Sequence, residues 1–126
     1  MNTPRVLLID DETEFISTLA ERLSLRGVEA DWVSSANAAL EKIESTHYDL
    51  AVLDVKMPHI SGIELKRMLH ERHPAMQFIF MTGHGSEQDF HVGTSEAGAA
   101  FYLVKPVNIE ELMRKMKEAL GRELSP

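Results

Sequence analysis

Two kinds of segment take turns along this chain: short, unbroken apolar runs and longer stretches with helical spacing. The first run is Arg5-Val6-Leu7-Leu8-Ile9, which predicts a strand buried on both faces. A helix is expected from about Thr13 to Arg26, because Phe15, Ile16, Leu19 and Leu23 recur at helical intervals. Gly27 is its expected stop. Val28 to Ser34 predicts a second strand, with Trp32 partly covered, and Ser34 or Ser35 caps a helix over Ala36 to Glu44. Leu50 to Leu53 predicts the third strand. Ser61 caps a helix through about Arg72, with Ile63, Leu65, Met68 and Leu69 inward and Pro74 just beyond. Gln77 to Met81 predicts the fourth strand. A fourth helix over Ser86 to Ala97 is weak: its apolar stripe is only Phe90, Val92 and Ala97, and Gly93 lies inside it. Ala100 to Val104 predicts the fifth strand. Asn108 caps a final helix whose inward face is Ile109, Leu112, Met113, Met116 and Leu120, and Gly121 stops it, leaving Arg122 to Pro126 as a tail.

Five strands alternating with five helices imply a doubly wound α/β domain, a parallel sheet covered on both faces. The whole of residues 1–126 reads as one such domain, with its core between about residues 5 and 120. The third strand organises the rest. It ends at an acid, Asp54, with Pro58 four residues on. In an open parallel sheet, ligands collect beyond the carboxyl ends of the strands. The same rim receives Asp10 and Asp11 from strand one, Thr82 from strand four and Lys105 from strand five.

Composition narrows the chemistry. The chain has no cysteine, which excludes a disulfide framework, a thiolate metal site and a cysteine nucleophile. A net charge of −7 argues against direct nucleic-acid binding, which leaves a basic footprint. No apolar run approaches the length of a membrane span, and residues Met1 to Arg5 lack the start of a signal peptide; the expectation is a cytoplasmic protein without membrane contact. The six histidines, His47, His59, His70, His73, His84 and His91, show no metal-ligand spacing and read as surface residues.

Three carboxylates at one rim repel one another unless a cation sits among them. Oxygen donors without sulfur suit Mg²⁺ or Mn²⁺, and the backbone carbonyl of Lys56 is a further oxygen. A phosphoryl group arriving there meets the ammonium of Lys105 and the hydroxyl of Thr82, which offset the charge on its oxygens. The nucleophile is then a carboxylate. Asp54 stands alone on the central strand and is the natural choice; the acidic pair is better suited to hold metal. One at a time, these residues have ordinary explanations. Asp10 and Asp11 favour a helix N-terminus, Asp54 and Thr82 suit turns, Lys105 is a solvated lysine, and Tyr102 is a half-buried strand aromatic.

The ordered set is specific. The residues are Asp10-Asp11 after strand one, Leu53-Asp54-Val55-Lys56-Met57-Pro58, Gly62, Met81-Thr82-Gly83-His84-Gly85, Tyr102 and Lys105-Pro106. Over about Arg5 to Leu120 the chain resembles a receiver domain of the bacterial two-component response-regulator family. That resemblance implies a flavodoxin-like, CheY-like fold with strand order 2-1-3-4-5, an order the general description of that fold also gives. It implies a phosphorelay role in which Asp54 accepts a phosphoryl group from a phosphohistidine of a sensor histidine kinase or histidine phosphotransfer protein. Asp11 would ligate Mg²⁺ directly, Asp10 mainly through water, and Lys56 through its carbonyl. Thr82 and Lys105 would meet the phosphoryl oxygens, the bond between Lys105 and Pro106 would be cis, and Tyr102 would be an aromatic switch turning inward as Thr82 moves. Lys56 and His84 would set the lifetime of the modification. The fourth helix, fifth strand and final helix would carry the signal to a downstream protein or attached output domain, with a phosphorylation-dependent homodimer through this face by analogy. The protein would not be an enzyme beyond its own phosphorylation and slow dephosphorylation.

Three rival readings remain, and one choice within the family. A metal-dependent phosphatase with an aspartate nucleophile wants a second acid two residues on, where this chain has Lys56. A flavin or nucleotide binder wants a glycine- or hydroxyl-rich loop after strand one, where this chain has Asp10-Asp11-Glu12. A receiver-like domain that is never phosphorylated does not need the intact acidic set. Within the family, the chain is either a stand-alone receiver or the N-terminal receiver of a longer transcriptional regulator or hybrid kinase. The Met81-Thr82-Gly83-His84-Gly85 stretch resembles receivers joined to ATP-dependent activators.

Overall fold

Between their end residues the central strands are apolar at every position, so alternate residues serve opposite faces of the sheet. A computed structural model describes residues 3–83 and 102–124. In chain order the elements are β1 (Arg5–Ile9), α1 (Thr13–Ser24), β2 (Glu29–Val33), α2 (Ala36–Ser45), β3 (Leu50–Asp54), α3 (Gly62–Arg72), β4 (Gln77–Thr82), β5 (Tyr102–Val104) and α4 (Ile109–Leu120). The strands form one sheet in the order β2-β1-β3-β4-β5, and every neighbouring pair is parallel. This is the CheY-like order expected. The expected fourth helix over 86–97, the first two residues of the expected fifth strand and His84 lie outside the described residues. Four helices are seen among the described ones.

Val6, Leu8, Val52, Ile79, Met81 and Leu103 face α1 and α4. Their strand neighbours Leu7, Ile9, Ala51, Leu53, Phe78 and Phe80 face α2 and α3. β3 is buried along its whole length, and this central position carries Asp54 to the rim. Caps set the helix starts. Ser35, not Ser34, accepts from Ala38 N–H; Ser61 accepts from Glu64 N–H; Asn108 accepts from Glu111 N–H. Gly121 closes α4 in the left-handed region at φ 65°, where L-residues with a Cβ are strained.

Two boundaries differ from expectation. α1 ends at Ser24 rather than near Arg26, because Arg26 and Gly27 N–H groups turn back to Leu23 and Ser24. Gly27 takes φ 82°, and Leu25 is left 81% exposed. The segment after Gly121 is not a free tail as far as it is described: Leu124 is 2% exposed and packs in the core between α1, α4 and the sheet. Leu124→Ala is therefore expected to lower the unfolding free energy by about 2–4 kcal/mol. Leu25→Ala should stay within about 0.5 kcal/mol of the parent. Urea denaturation of the two variants side by side checks both.

Candidate functional site

The ends of β1 and β3 bring the acids together. Asp10 follows β1 and is fully buried; Asp54 is the last residue of β3 and 6% exposed. Asp11 is exposed beside them. One oxygen of each of the three carboxylates lies within 4.8 Å of the others. Asp10 Oδ1 accepts from Glu12 N–H at 2.9 Å. Asp10 Oδ2 is buried, and no hydrogen-bond donor is aligned with it among the described residues. It does face a charge: the Lys105 ammonium, one residue past β5, is 2.7 Å away. The same ammonium is 3.0 Å from Glu12 Oε1, 3.7 Å from Asp54 Oδ2, and 4.9 Å from the ring centre of Phe15.

Burial and crowding show in the titration of these groups. Burial, then the neighbouring Asp10 charge, pushes the Asp54 carboxyl up to about 6; Lys105 and the Lys56 backbone N–H pull the other way without overcoming them. Burial also raises the Asp10 carboxyl, against the opposing pull of Lys105 and Glu12 N–H. Burial alone would lower the Lys105 ammonium, but its bonds to Asp10 and Glu12 outweigh that and hold it above the ordinary lysine value.

The wall of the site is fixed by a close approach. Gly62, the first residue of α3, donates its N–H to Val55 O at 2.8 Å. A Cβ on Gly62 would lie 2.0 Å from the Asp54 carbonyl oxygen, so only glycine lets α3 start against the end of β3. Between them, His59 takes φ 74° and Ile60 N–H returns to Pro58 O at 2.9 Å. That is a γ-turn with a non-glycine centre, a strained conformation.

Thr82 ends β4 and is 3% exposed. Lys105 N–H donates to Thr82 O at 2.7 Å, which ties the two backbones together. The bond between Lys105 and Pro106 is cis, as the resemblance implied. Tyr102 opens β5, is 6% exposed, and stacks on Phe80 with ring centres 5.1 Å apart; this is an inward position. Lys56 lies exposed in the loop after β3. The structure thus brings Asp10, Asp11, Asp54 and Lys105 into one cluster with Thr82 tied to it. It adds Glu12 and Phe15, which spacing along the chain does not single out. No spacing could: Glu12 meets a lysine 93 residues away.

Three carboxylates, each with an oxygen within 4.8 Å of the others, are hard donors that fit a divalent cation such as Mg²⁺. No helix among the described residues is long and apolar enough to cross a membrane.

Comparison with known proteins agrees with this fold. The sequence profile of the response regulator receiver domain matches residues 6–117. The chain is 35% identical over 118 residues to the two-component response regulator PhoP of Pseudomonas aeruginosa, covering 94% of this chain and 52% of PhoP. It is 33% identical over 118 residues to the response regulator MprA of Mycolicibacterium vanbaalenii, covering 94% and 51%. The chain therefore spans about half the length of the curated relatives it matches. Among solved structures, a CheY-like receiver domain protein from Methanospirillum hungatei superposes with a TM-score of 0.84 at 35% identity over 95% of each chain. The receiver domain of NtrX from Brucella abortus gives 0.82 at 25% identity over 92% of this chain and 98% of that one.

The raised Asp54 carboxyl makes a signed prediction. Its proton is held more tightly in the folded chain (about 6) than at the ordinary value of 3.8. The native state therefore loses stability as pH rises between those values. Without metal, Asp54→Asn should be more stable than the parent at pH 7.5 by about 1–3 kcal/mol. The gain should vanish near pH 4, and thermal melts across that range read it. Gly62→Ala should cost about 3 kcal/mol, because backbone rather than a side-chain tip has to move; chemical denaturation measures it.

Proposed function

The chain belongs to the response regulator receiver domain family, and on that premise we propose that it is a phosphoacceptor whose modified residue is Asp54. The observation that carries this is the cluster itself: a buried carboxylate at the end of the central strand, two more acids within 4.8 Å, and a lysine ammonium 3.7 Å away. A phosphohistidine of a sensor histidine kinase or phosphotransfer protein is the donor. An Asp54 oxygen attacks phosphorus and forms the acyl phosphate. The P–N bond breaks with its electron pair going to that imidazole nitrogen, and the ring, already protonated at its other nitrogen, leaves as neutral histidine.

Asp11, Asp54 and the Lys56 carbonyl would hold Mg²⁺, with Asp10 acting mainly through water, and the ion when bound would neutralise charge on the phosphoryl oxygens. Lys105 pairs with one phosphoryl oxygen, and the Thr82 hydroxyl donates to another. Lys56 and His84 tune how long the group persists. Thr82 and Tyr102 relay its arrival along β4 and β5 toward the face that includes α4. The relay selects between arrangements that already exist. The chain acts as one receiver unit in the cytoplasm, as a stand-alone regulator or the receiver part of a longer one. The relatives' greater length supports the second arrangement. It carries out no turnover chemistry beyond its own phosphorylation and slow dephosphorylation. A phosphatase reading is weaker, because Lys56 stands where a proton-donating acid is needed.

Incubation with acetyl phosphate and Mg²⁺ should add a single phosphoryl group by intact mass. The adduct should be stable to acid and labile to base. It should be absent in Asp54→Ala and after chelation of the metal, and strongly reduced in Lys105→Ala. If neither acetyl phosphate nor a panel of phosphorylated histidine kinases labels the native chain, the reading falls.

A further inference from the structure

A lysine ammonium carries three N–H donors. In this structure the Lys105 ammonium has three carboxylate neighbours: Asp10 at 2.7 Å, Glu12 at 3.0 Å and Asp54 at 3.7 Å. Asp10 and Asp54 belong to the phosphoacceptor site. Glu12 has no part in the chemistry above, and helix formation does not explain it either. It occupies the N-cap position of α1 with φ −83° and ψ 91°, yet its side chain makes no capping hydrogen bond. Ser, Thr, Asp and Asn are the residues that stabilise that position. The Glu12 carboxylate instead extends over the rim to Lys105. The Glu12 side chain is 66% exposed and the Lys105 side chain 16%.

We propose that Glu12 is a positioning residue that occupies one donor of Lys105 until a phosphoryl group displaces it, and so sets how tightly the site takes that group. This rests on the phosphoacceptor reading and deepens it. A phosphoryl group on Asp54 brings a charge of about −1.5 to −2 and three acceptor oxygens. Asp54 Oδ2, at 3.7 Å, lies beyond hydrogen-bond reach, so closing on a phosphoryl group there draws the ammonium away from the two oxygens it now touches, on Asp10 and Glu12. Asp10 is fully buried, and stranding its charge is costly. Glu12 is the partner that water can solvate once released. Phe15, with its ring centre 4.9 Å from the ammonium, stays in place to support the cation during the exchange. Replacing Glu12 by glutamine leaves a neutral amide in its place and removes an anionic charge from the mouth of the site. Both changes favour an incoming anion.

The test titrates the full chain with beryllofluoride, a tetrahedral phosphoryl analogue, at saturating Mg²⁺, followed by fluorine NMR. Native, Glu12→Gln and Glu12→Asp chains are compared, with acetyl phosphate labelling in parallel. Glu12→Gln should bind the analogue about two- to fivefold more tightly at low salt, the size expected of a half-exposed ion pair. Glu12→Asp should fall between the two. The difference should shrink in about 0.5 M salt, and it should persist at saturating Mg²⁺, where any change in Mg²⁺ half-saturation no longer bears on it. A merely structural role would shift the thermal midpoint and leave this salt-sensitive affinity alone. Equal or weaker binding by Glu12→Gln, while the native chain is labelled, overturns the proposal and leaves the phosphoacceptor reading standing. A shift only in Mg²⁺ half-saturation also overturns it. A native chain that takes neither reagent overturns both.

Discussion

Three carboxylates gathered at a sheet rim push one another apart, and the Lys105 ammonium is what makes the gathering tolerable. Everything around it serves that arrangement. β3 is buried on both faces, so Asp54 arrives at the rim with little water to screen it. Asp10 is more deeply buried still. Burial first, and for Asp54 the neighbouring Asp10 charge next, displaces both carboxyls upward. A site in this condition has unspent attraction for positive charge and for a group that arrives together with it. The fold holds that tension through close packing on both faces of the sheet, because a close-packed interior yields little to a local push.

Much of this was legible in the sequence, and for a plain physical reason. Strands buried on both faces are written as unbroken apolar runs, so β1, β3 and β4 stand out, and the residues at their ends are fixed by where the runs stop. Asp10, Asp54 and Thr82 sit at those ends, and parallel topology sends them to one rim. Ser61 and Asn108 announce their helices because their side chains do the capping. The signals that failed were of other kinds. Ser24 ends α1 because backbone groups turn back on themselves, which no side chain declares. Leu124 follows a glycine stop and looks like the start of a tail, yet it packs against residues from the other end of the chain. Glu12 was visible as an acid in an acidic run, but its partner lies just past a distant strand. Only the folded arrangement of α1 and β5 reveals the pairing.

The same contrast separates Gly62 from Gly121. Gly121 is a residue whose own backbone angle demands glycine, and helix spacing alone locates it. Gly62 has no such signature in its spacing. Its requirement comes from the carbonyl of Asp54 pressing where a Cβ would be. The motif places glycine there, and the packing supplies the cause. The wall behind Asp54 is thus set by main-chain contact between β3 and α3, with the strained turn at His59 beside it.

The short link from Lys105 N–H to Thr82 O has a consequence for what the rim can recognise. Neighbouring strands lie about 4.8 Å apart, and this bond pins the edge at that spacing just where a hydroxyl and an ammonium leave their strands. The pair behaves like the jaws of a caliper set by the main chain. On the proposed reading, an anion would be gauged by whether its oxygens reach both jaws at once, so size and shape would be sorted before any bond is made or broken.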